Sequence, residues 1–384
     1  MREAFIIDAV RTAGGKRKGR LAGIHAVDLG ALSLDALLDR NRFDPAAIDD
    51  VIWGCVTQAG EQSQHVGRNC VLASRLPQSV PAVTIDRQCG SSQQAVQFAA
   101  QAVLSGTQDL VIAGGVESMT RVPMNSAVNG ASPLSPNEQK KLGVPTVSQF
   151  VGAQMIAEKW GFSRDTLDRF ALESHRRATA ALDAHAFADE IVPVRVTLAD
   201  GTEITHDRDE GVRPESTLEG LGRLEPLTPG GVLTAGNSSQ ICDGSSAVLV
   251  ASEAAVKAHN LKPIARIVNL TVTAGDPVIM LEEPLYATPK ALKRAGLTLN
   301  DIDLFEVNEA FASVPLAWLK HLGADPAKLN VNGGAIALGH PLGATGGKLM
   351  ATLVHTLRRR KLKYGLQTMC EGGGVANVTI VEAL

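Results

Sequence analysis

The sequence has no C-x-x-C pair and no apolar run long enough to span a bilayer. Its five cysteines (Cys55, Cys70, Cys89, Cys242 and Cys370) are odd in number and widely scattered, which argues against a disulfide framework and against a zinc site. Charge of one sign is also lacking. A formal net charge of −3 leaves no electrostatic reason to expect nucleic acid or an anionic membrane as partner. The basic stretch "TAGGKRKGR" lacks the phosphate-loop pattern and reads as an exposed loop, and "RRRKLK" reads as a solvated helix end. The opening "MREAFIIDAVRT" is charged from its second residue, unlike a secretory signal, and the closing "VEAL" matches no sorting signal. A reducing cytoplasm is the expected location. No metal or prosthetic group is implied.

What is present is an ordinary soluble composition, 45% hydrophobic and 20% charged, over 384 residues, enough for two or more domains. Short apolar runs such as "AFIIDAV" and "DLVIAGG" alternate with helical patterns such as "LGALSLDALLDR" and "GKLMATLVHTLRR", which predicts an α/β fold with buried strands. The two ends of the chain repeat each other in order. "PAAIDDVIWGCV" parallels "LNDIDLFEVNEA", "TIDRQCGSSQQAV" parallels "VNGGAIALGHPLGATGG", and "DLVIAGGVES" parallels "LQTMCEGGGVAN". The expected division is an amino-terminal half of residues 1–120 plus about 246–262, an insertion of 121–245, and a carboxyl-terminal half of 263–384. A helix is expected after Ser163 as N-cap, and another starting at Thr288-Pro289.

Three stretches carry candidate chemistry. In "DRQCGSSQQA", Cys89 precedes an alanine-rich helix whose free N–H groups and dipole should lower the pKa of a thiol. A packing cysteine reads equally well from that stretch alone. In "GGAIALGHPLGATGG", six glycines in fifteen residues surround His340, a candidate base for a thiol proton or a satisfied loop histidine. In "MCEGGGVAN", Cys370 precedes three glycines whose N–H groups suit an oxyanion. "VNEAF" adds Asn308, which can hold a water as oxyanion donor or cap a helix, and Glu309.

Together, in order and spacing, these stretches resemble the thiolase family over essentially the whole chain. The resemblance implies two βαβαβαββ halves in a five-layered arrangement with an inserted loop domain that binds CoA and acyl groups. It implies an acyltransferase that cleaves 3-ketoacyl-CoA with CoA through a Cys89 acyl-enzyme, or condenses in reverse. Cys89 would be nucleophile, His340 its base and Cys370 the acid/base on the acetyl-CoA carbon. Oxyanion holes would come from His340 with an Asn308-held water, and from the N–H groups of Cys89 and Gly372. Arg213, Ala235, Ser239, Met280 and Phe311 match positions contacting CoA or the acyl chain. A homodimer or homotetramer is implied, with a β-oxidation complex as a further partner.

The chain departs from the family pattern in four places. Ala376 replaces the last glycine of the closing motif, and Glu371 stands beside Cys370, where a carboxylate pointing inward would raise that thiol's pKa. Ser148-Gln149 replaces a His-Met pair, and "MLEEP" replaces a glycine-containing run. These departures point away from a dedicated acetoacetyl-CoA enzyme and toward degradative members accepting bulky acyl chains. A non-catalytic acyl-CoA carrier is the remaining alternative, although none of Cys89, His340 and Cys370 is missing.

Overall fold

A computed structural model describes residues 2–198 and 200–384. The amino-terminal half contributes strands β1 Ala4–Thr12, β2 Asp50–Gly54, β3 Ala82–Ile85, β4 Leu110–Ser118 and β5 Cys242–Ser252. They lie in the order β3-β2-β4-β5-β1, with β2 parallel to β3 and β4 and with β5 antiparallel to β4 and β1. The carboxyl-terminal half contributes β6 Ala265–Ala274, β7 Leu304–Val307, β8 Tyr364–Glu371 and β9 Val375–Ala383. Their order, β7-β8-β9-β6, repeats the same pattern: one parallel pairing followed by two antiparallel ones. The counterpart of β3 shrinks to a parallel bridge between Phe305 and Leu329. The repeat legible in the sequence is therefore a repeat of topology. Two residue pairs between β1 and β6, Phe5 with Arg266 and Ile6 with Ala265, join the half-sheets edge to edge.

Helices α1 Ala26–Arg40, α2 Val66–Ala73 and α3 Ser91–Ser105 belong to the first half, and α4 Gln149–Trp160 and α5 Arg164–Asp183 to the insertion. The second half has α6 Pro284–Ala295, α7 Ser313–Leu322 and α8 Thr345–Arg360. Packing of α1 and α2 on one sheet, α6 and α7 on the other, and α3 with α8 between both produces five layers. A helix in the middle layer must bury every face, and α8 does so from Thr345 to Leu357. Polar residues on α3 are buried with partners: Gln93 and Gln97 donate to the backbone carbonyls of Gln367 and Val378 at 3.2 and 3.0 Å. Strands β4 and β5 are buried along their full length, as sheets covered on both faces require.

The insertion is fastened by a buried charged cluster. Arg11 on β1 donates to Glu190 at 2.6 Å and to both oxygens of Asp209 at 2.9 and 3.1 Å. Asp209 also accepts from Gly14 N at 2.7 Å and lies 3.5 Å from Lys348 on α8. Burial pushes the Asp209 carboxyl up, but Arg11 and Lys348 outweigh it and hold it down at about 2.

Local expectations were met unevenly. Ser163 caps α5 by accepting from Thr166 N at 3.2 Å. The helix expected to start at Thr288-Pro289 starts instead at Pro284, with Pro289 inside it. Pro284 provides the fixed φ of a first turn, and Thr288, rather than capping, donates to Pro284 O and accepts from Trp318 Nε1. Strand β5 opens at Cys242, because Cys242 and Asp243 already pair with Lys16 and Gly15. Among the described residues, no helix is long and apolar enough to cross a membrane.

Candidate active site

The loop before α3 presents Cys89. Gln88 adopts a left-handed backbone, φ 48°, held by Asp86 Oδ1 accepting from its N–H at 2.6 Å. A non-glycine residue in that region stores strain, here one residue before the thiol. Cys89 is 6% exposed and packs against Met119, Leu342 and Met369. The helix-dipole expectation for it is overturned. Burial, the largest cause, pushes the thiol well up from its ordinary value, so desolvation exceeds the pull of the α3 N-terminus.

His340 is 4% exposed on a loop that runs from α7 through Ala335–Leu338 into α8. Its glycines are needed for closeness. Gly339 has φ 83° with the Cys242 side chain against it, and a Cβ on Gly343 would lie 2.6 Å from Cys55 Cα and 2.8 Å from Glu117 Oε2. Thr345 Oγ1 donates to Pro341 O at 3.1 Å, so at 2.6 Å its lone pair accepts Nδ1–H of His340. That assignment leaves Nε2 unprotonated, with Asn308 Nδ2 donating toward it at 3.4 Å. Burial, aided by Lys348, pushes the imidazole down to about 3. The resting pair is thus thiol and neutral imidazole. Asn308 Oδ1 is buried with no partner among the described residues, an acceptor suited to an ordered water.

Cys370, the penultimate residue of β8, lies beside Cys89 and is 1% exposed. Burial, the largest cause, raises its pKa well above the ordinary thiol range. Gly372 lies in the turn after β8 against Gln88, where a Cβ would come within 3.0 Å of the Gln88 side chain. The turn thereby brings the Gly372 backbone next to the Cys89 loop.

A cavity of about 520 Å³ has His340, Leu342 and Met119 on its wall; Cys89, Cys370 and Asn308 do not line it, and Cys89 clusters with Met119 and Leu342. Of the residues expected to touch CoA or acyl groups, Arg213, Ala235, Ser239 and Phe311 line it. Met280 does not. It is buried in the apolar cluster that contains Phe311 and Cys370, one layer behind the wall. Phe311 meets Phe150 edge to face at 5.6 Å.

Two further sets of residues, Lys16 with Arg17 and Glu117, escaped the sequence reading, and Glu309, named there without a role, gains one. Lys16 and Arg17, from the stretch read as a plain exposed loop, stand on the cavity wall. Gly15 and Lys16 pair with β5, and this pairing folds the loop inward. Glu117 on β4 accepts from Val56 N, Thr57 N, Gln62 Nε2 and Gly343 N at 2.8–3.1 Å. Glu309 accepts from Ser174, Asn330 and Ile336 N at 2.7, 2.9 and 3.2 Å, which orients the segment leading to His340. No motif marks a buried carboxylate whose donors are backbone N–H groups from distant segments. An acidic residue closing an apolar strand, as Glu117 does in "VIAGGVES", is the one available signal.

Residues 4–254 match the family model "Thiolase, N-terminal domain" and residues 261–383 the model "Thiolase, C-terminal domain". The chain is 55% identical over 393 residues to steroid 3-ketoacyl-CoA thiolase FadA6 of Mycobacterium tuberculosis, covering 100% of this chain and 95% of that one. It is 44% identical over 389 residues to a 3-ketoacyl-CoA thiolase of Cronobacter sakazakii, covering 100% of both. Human mitochondrial 3-ketoacyl-CoA thiolase superposes with a TM-score of 0.90 at 39% identity, over 100% of this chain and 99% of that one.

Proposed function

The chain belongs to the thiolase family, and we infer from this and from the site that it cleaves 3-ketoacyl-CoA with CoA, releasing acetyl-CoA and a shortened acyl-CoA. One observation carries the assignment of roles: His340, paired with Asn308, stands on the wall of a cavity that also carries Lys16, Arg17 and Arg213, and Cys89, beside Cys370, clusters with the wall residues Met119 and Leu342.

Cys89 Sγ attacks the 3-keto carbon while its proton passes to His340 Nε2. With the thiol raised and the imidazole lowered, a free thiolate–imidazolium pair is costly, so proton transfer accompanies C–S bond formation. The oxyanion is received by His340, now a donor, and by a water held at Asn308. The C2–C3 bond then breaks, its electrons pass to C2, and the Cys370 thiol protonates that carbon, leaving acetyl-CoA and an acyl thioester on Cys89. The raised pKa of Cys370 keeps it protonated for this step. The resulting Cys370 thiolate takes the proton of incoming CoA, whose sulfur displaces the acyl group from Cys89, and the departing Cys89 sulfur recovers its proton from His340. The N–H groups of Cys89 and Gly372 serve the thioester oxygen. Residues 121–245, with Arg213, Ala235 and Ser239, receive CoA.

The cavity wall is rich in apolar side chains, including Met119, Met124, Phe150, Leu227 and Ile241, which supports acyl groups bulkier than acetoacetyl. The unpaired edge of β3, with Val83 exposed, supports assembly with a second copy. Cytoplasmic location fits five free cysteines.

The test follows loss of the magnesium-enolate absorbance of acetoacetyl-CoA, a long-chain 3-ketoacyl-CoA and a sterol-side-chain 3-ketoacyl-CoA, each with CoA, in wild type and Cys89→Ala. Cleavage of the larger substrates that disappears in the variant is expected. Loss that is independent of CoA, or that survives Cys89→Ala, refutes the assignment.

A further inference from the structure

Glu371 closes β8 directly after Cys370, and its side chain is 0% exposed. It lies against Gly90, where the carboxyl fills the space that any Cβ would need. Gly90 follows Cys89 and is the N-cap of α3. With the Asn377 amide nitrogen facing the carboxyl, Nδ2 donates to Glu371 Oε1 at 3.0 Å, and Asn377 Oδ1 accepts from Gln94 N at 3.2 Å. The Glu371–Asn377 pair thus links β8 and β9 to the first turn of α3. The other carboxyl oxygen, Oε2, has no partner among the described residues, and no cation there forms an ion pair with Glu371.

A buried carboxylate with one oxygen unpartnered and no cation in ion-pair contact costs several kcal/mol, so the group keeps its proton. Burial pushes its pKa well above the ordinary carboxyl range, and Arg87 offsets only part of that. The titratable and charged groups around it are Cys89 and Arg87 from the loop before α3 and Cys370 from its own strand. Asp86 and Glu117 act on Cys89 as well.

We propose that Glu371 is a positioning residue held as a neutral carboxylic acid, docking the strand of Cys370 against the loop of Cys89 while keeping negative charge away from both thiols. This rests on the reading above that Cys89 and Cys370 are the reacting sulfurs. An ionised Glu371 would raise both thiols further and slow attack by Cys89. Neutral, it fills the space beside Gly90 and holds Asn377 without that penalty.

Iodoacetamide alkylation of Cys89, read by mass spectrometry of its peptide, compares wild type with Glu371→Gln from neutral to alkaline pH. At neutral pH the two rates are expected to agree within about fivefold, because a carboxylate would slow the wild type tenfold for each unit by which it raised the thiol. A larger difference in either direction overturns the proposal. In wild type alone, the infrared difference spectrum before and after alkylation reports the carboxyls next to Cys89, whether or not the glutamine variant folds. A shifted protonated-carboxyl band is expected, and its absence overturns the proposal. Neither readout uses thiolysis, so a failed cleavage assay counts against the activity and leaves this test standing.

Discussion

Glu117 Oε2 accepts the Gly343 N–H at 2.8 Å, so a carboxyl from one half of the molecule holds the histidine loop of the other. The same side chain receives Val56 N, Thr57 N and Gln62 Nε2, and is fully buried. Each buried donor left unsatisfied costs about 1–3 kcal/mol. Glu117→Ala is therefore expected to lose about 3 kcal/mol or more and to reduce kcat through a displaced His340. Thermal unfolding with parallel thiolysis checks it, and an unchanged Tm would show that the four bonds are replaceable by water.

His340 sets the acid side of the pH profile. Burial holds its imidazole at about 3, so the base form persists through the range where an ordinary histidine, near 6.5, would titrate. The expected kcat/KM for thiolysis has no inflection near pH 6.5. Its acid loss should coincide with unfolding. Asp209, depressed to about 2 from about 3.9 in the unfolded chain, contributes stability above the higher value that is lost as pH falls toward the lower one. The depressed His340 acts in the same direction, since the unfolded chain binds its proton at a higher pH. Activity and circular dichroism against pH, measured together, separate an ordinary histidine limb from this one.

Cys370 has a task that can be isolated. In D2O, wild type should exchange the α-hydrogens of acetyl-CoA, and Cys370→Ala should slow that exchange at least about 100-fold. Alkylation of Cys89 should survive in the same variant. Retained exchange would assign the proton transfer to another group.

Lys16 and Arg17 stand where an anionic ligand would enter. Replacing both with alanine is expected to raise KM for CoA about tenfold with little change in kcat, a factor that corresponds to about 1.4 kcal/mol. The effect should shrink as ionic strength rises. A fall in kcat at unchanged KM would place their role elsewhere.

Much of the site was legible because its chemistry is local in sequence. Glycine clusters mark the places where backbone meets backbone, and the His340 and Cys370 loops were found through them, while Cys89 was found through its place before an alanine-rich helix. The repeat was legible because duplicated strands keep their order of apolar and turn residues. What escaped depends on tertiary surroundings. The helix-terminus rule lowers a thiol only where water still reaches it, and at Cys89 burial reverses the sign. Lys16 looks like a loop cation until its pairing with Cys242 turns it toward the cavity. Met280 matches a lining position, but its buried side chain lies behind the wall. Thr288-Pro289 has the signature of a helix start, and only packing against Trp318 shows that the helix is already under way.

The Arg11 cluster has a consequence for how the chain comes apart. Arg11 lies on β1, the strand of the first half that meets the second, yet both carboxylates that neutralise it, Glu190 and Asp209, come from the insertion. Detaching the insertion would strand a guanidinium inside a sheet that offers it no other acid partner within ion-pair reach among the described residues. The insertion cannot swing away as an independent cover while the sheet stays intact. Cutting it out should leave an insoluble remnant, and heating should melt the whole chain in one step.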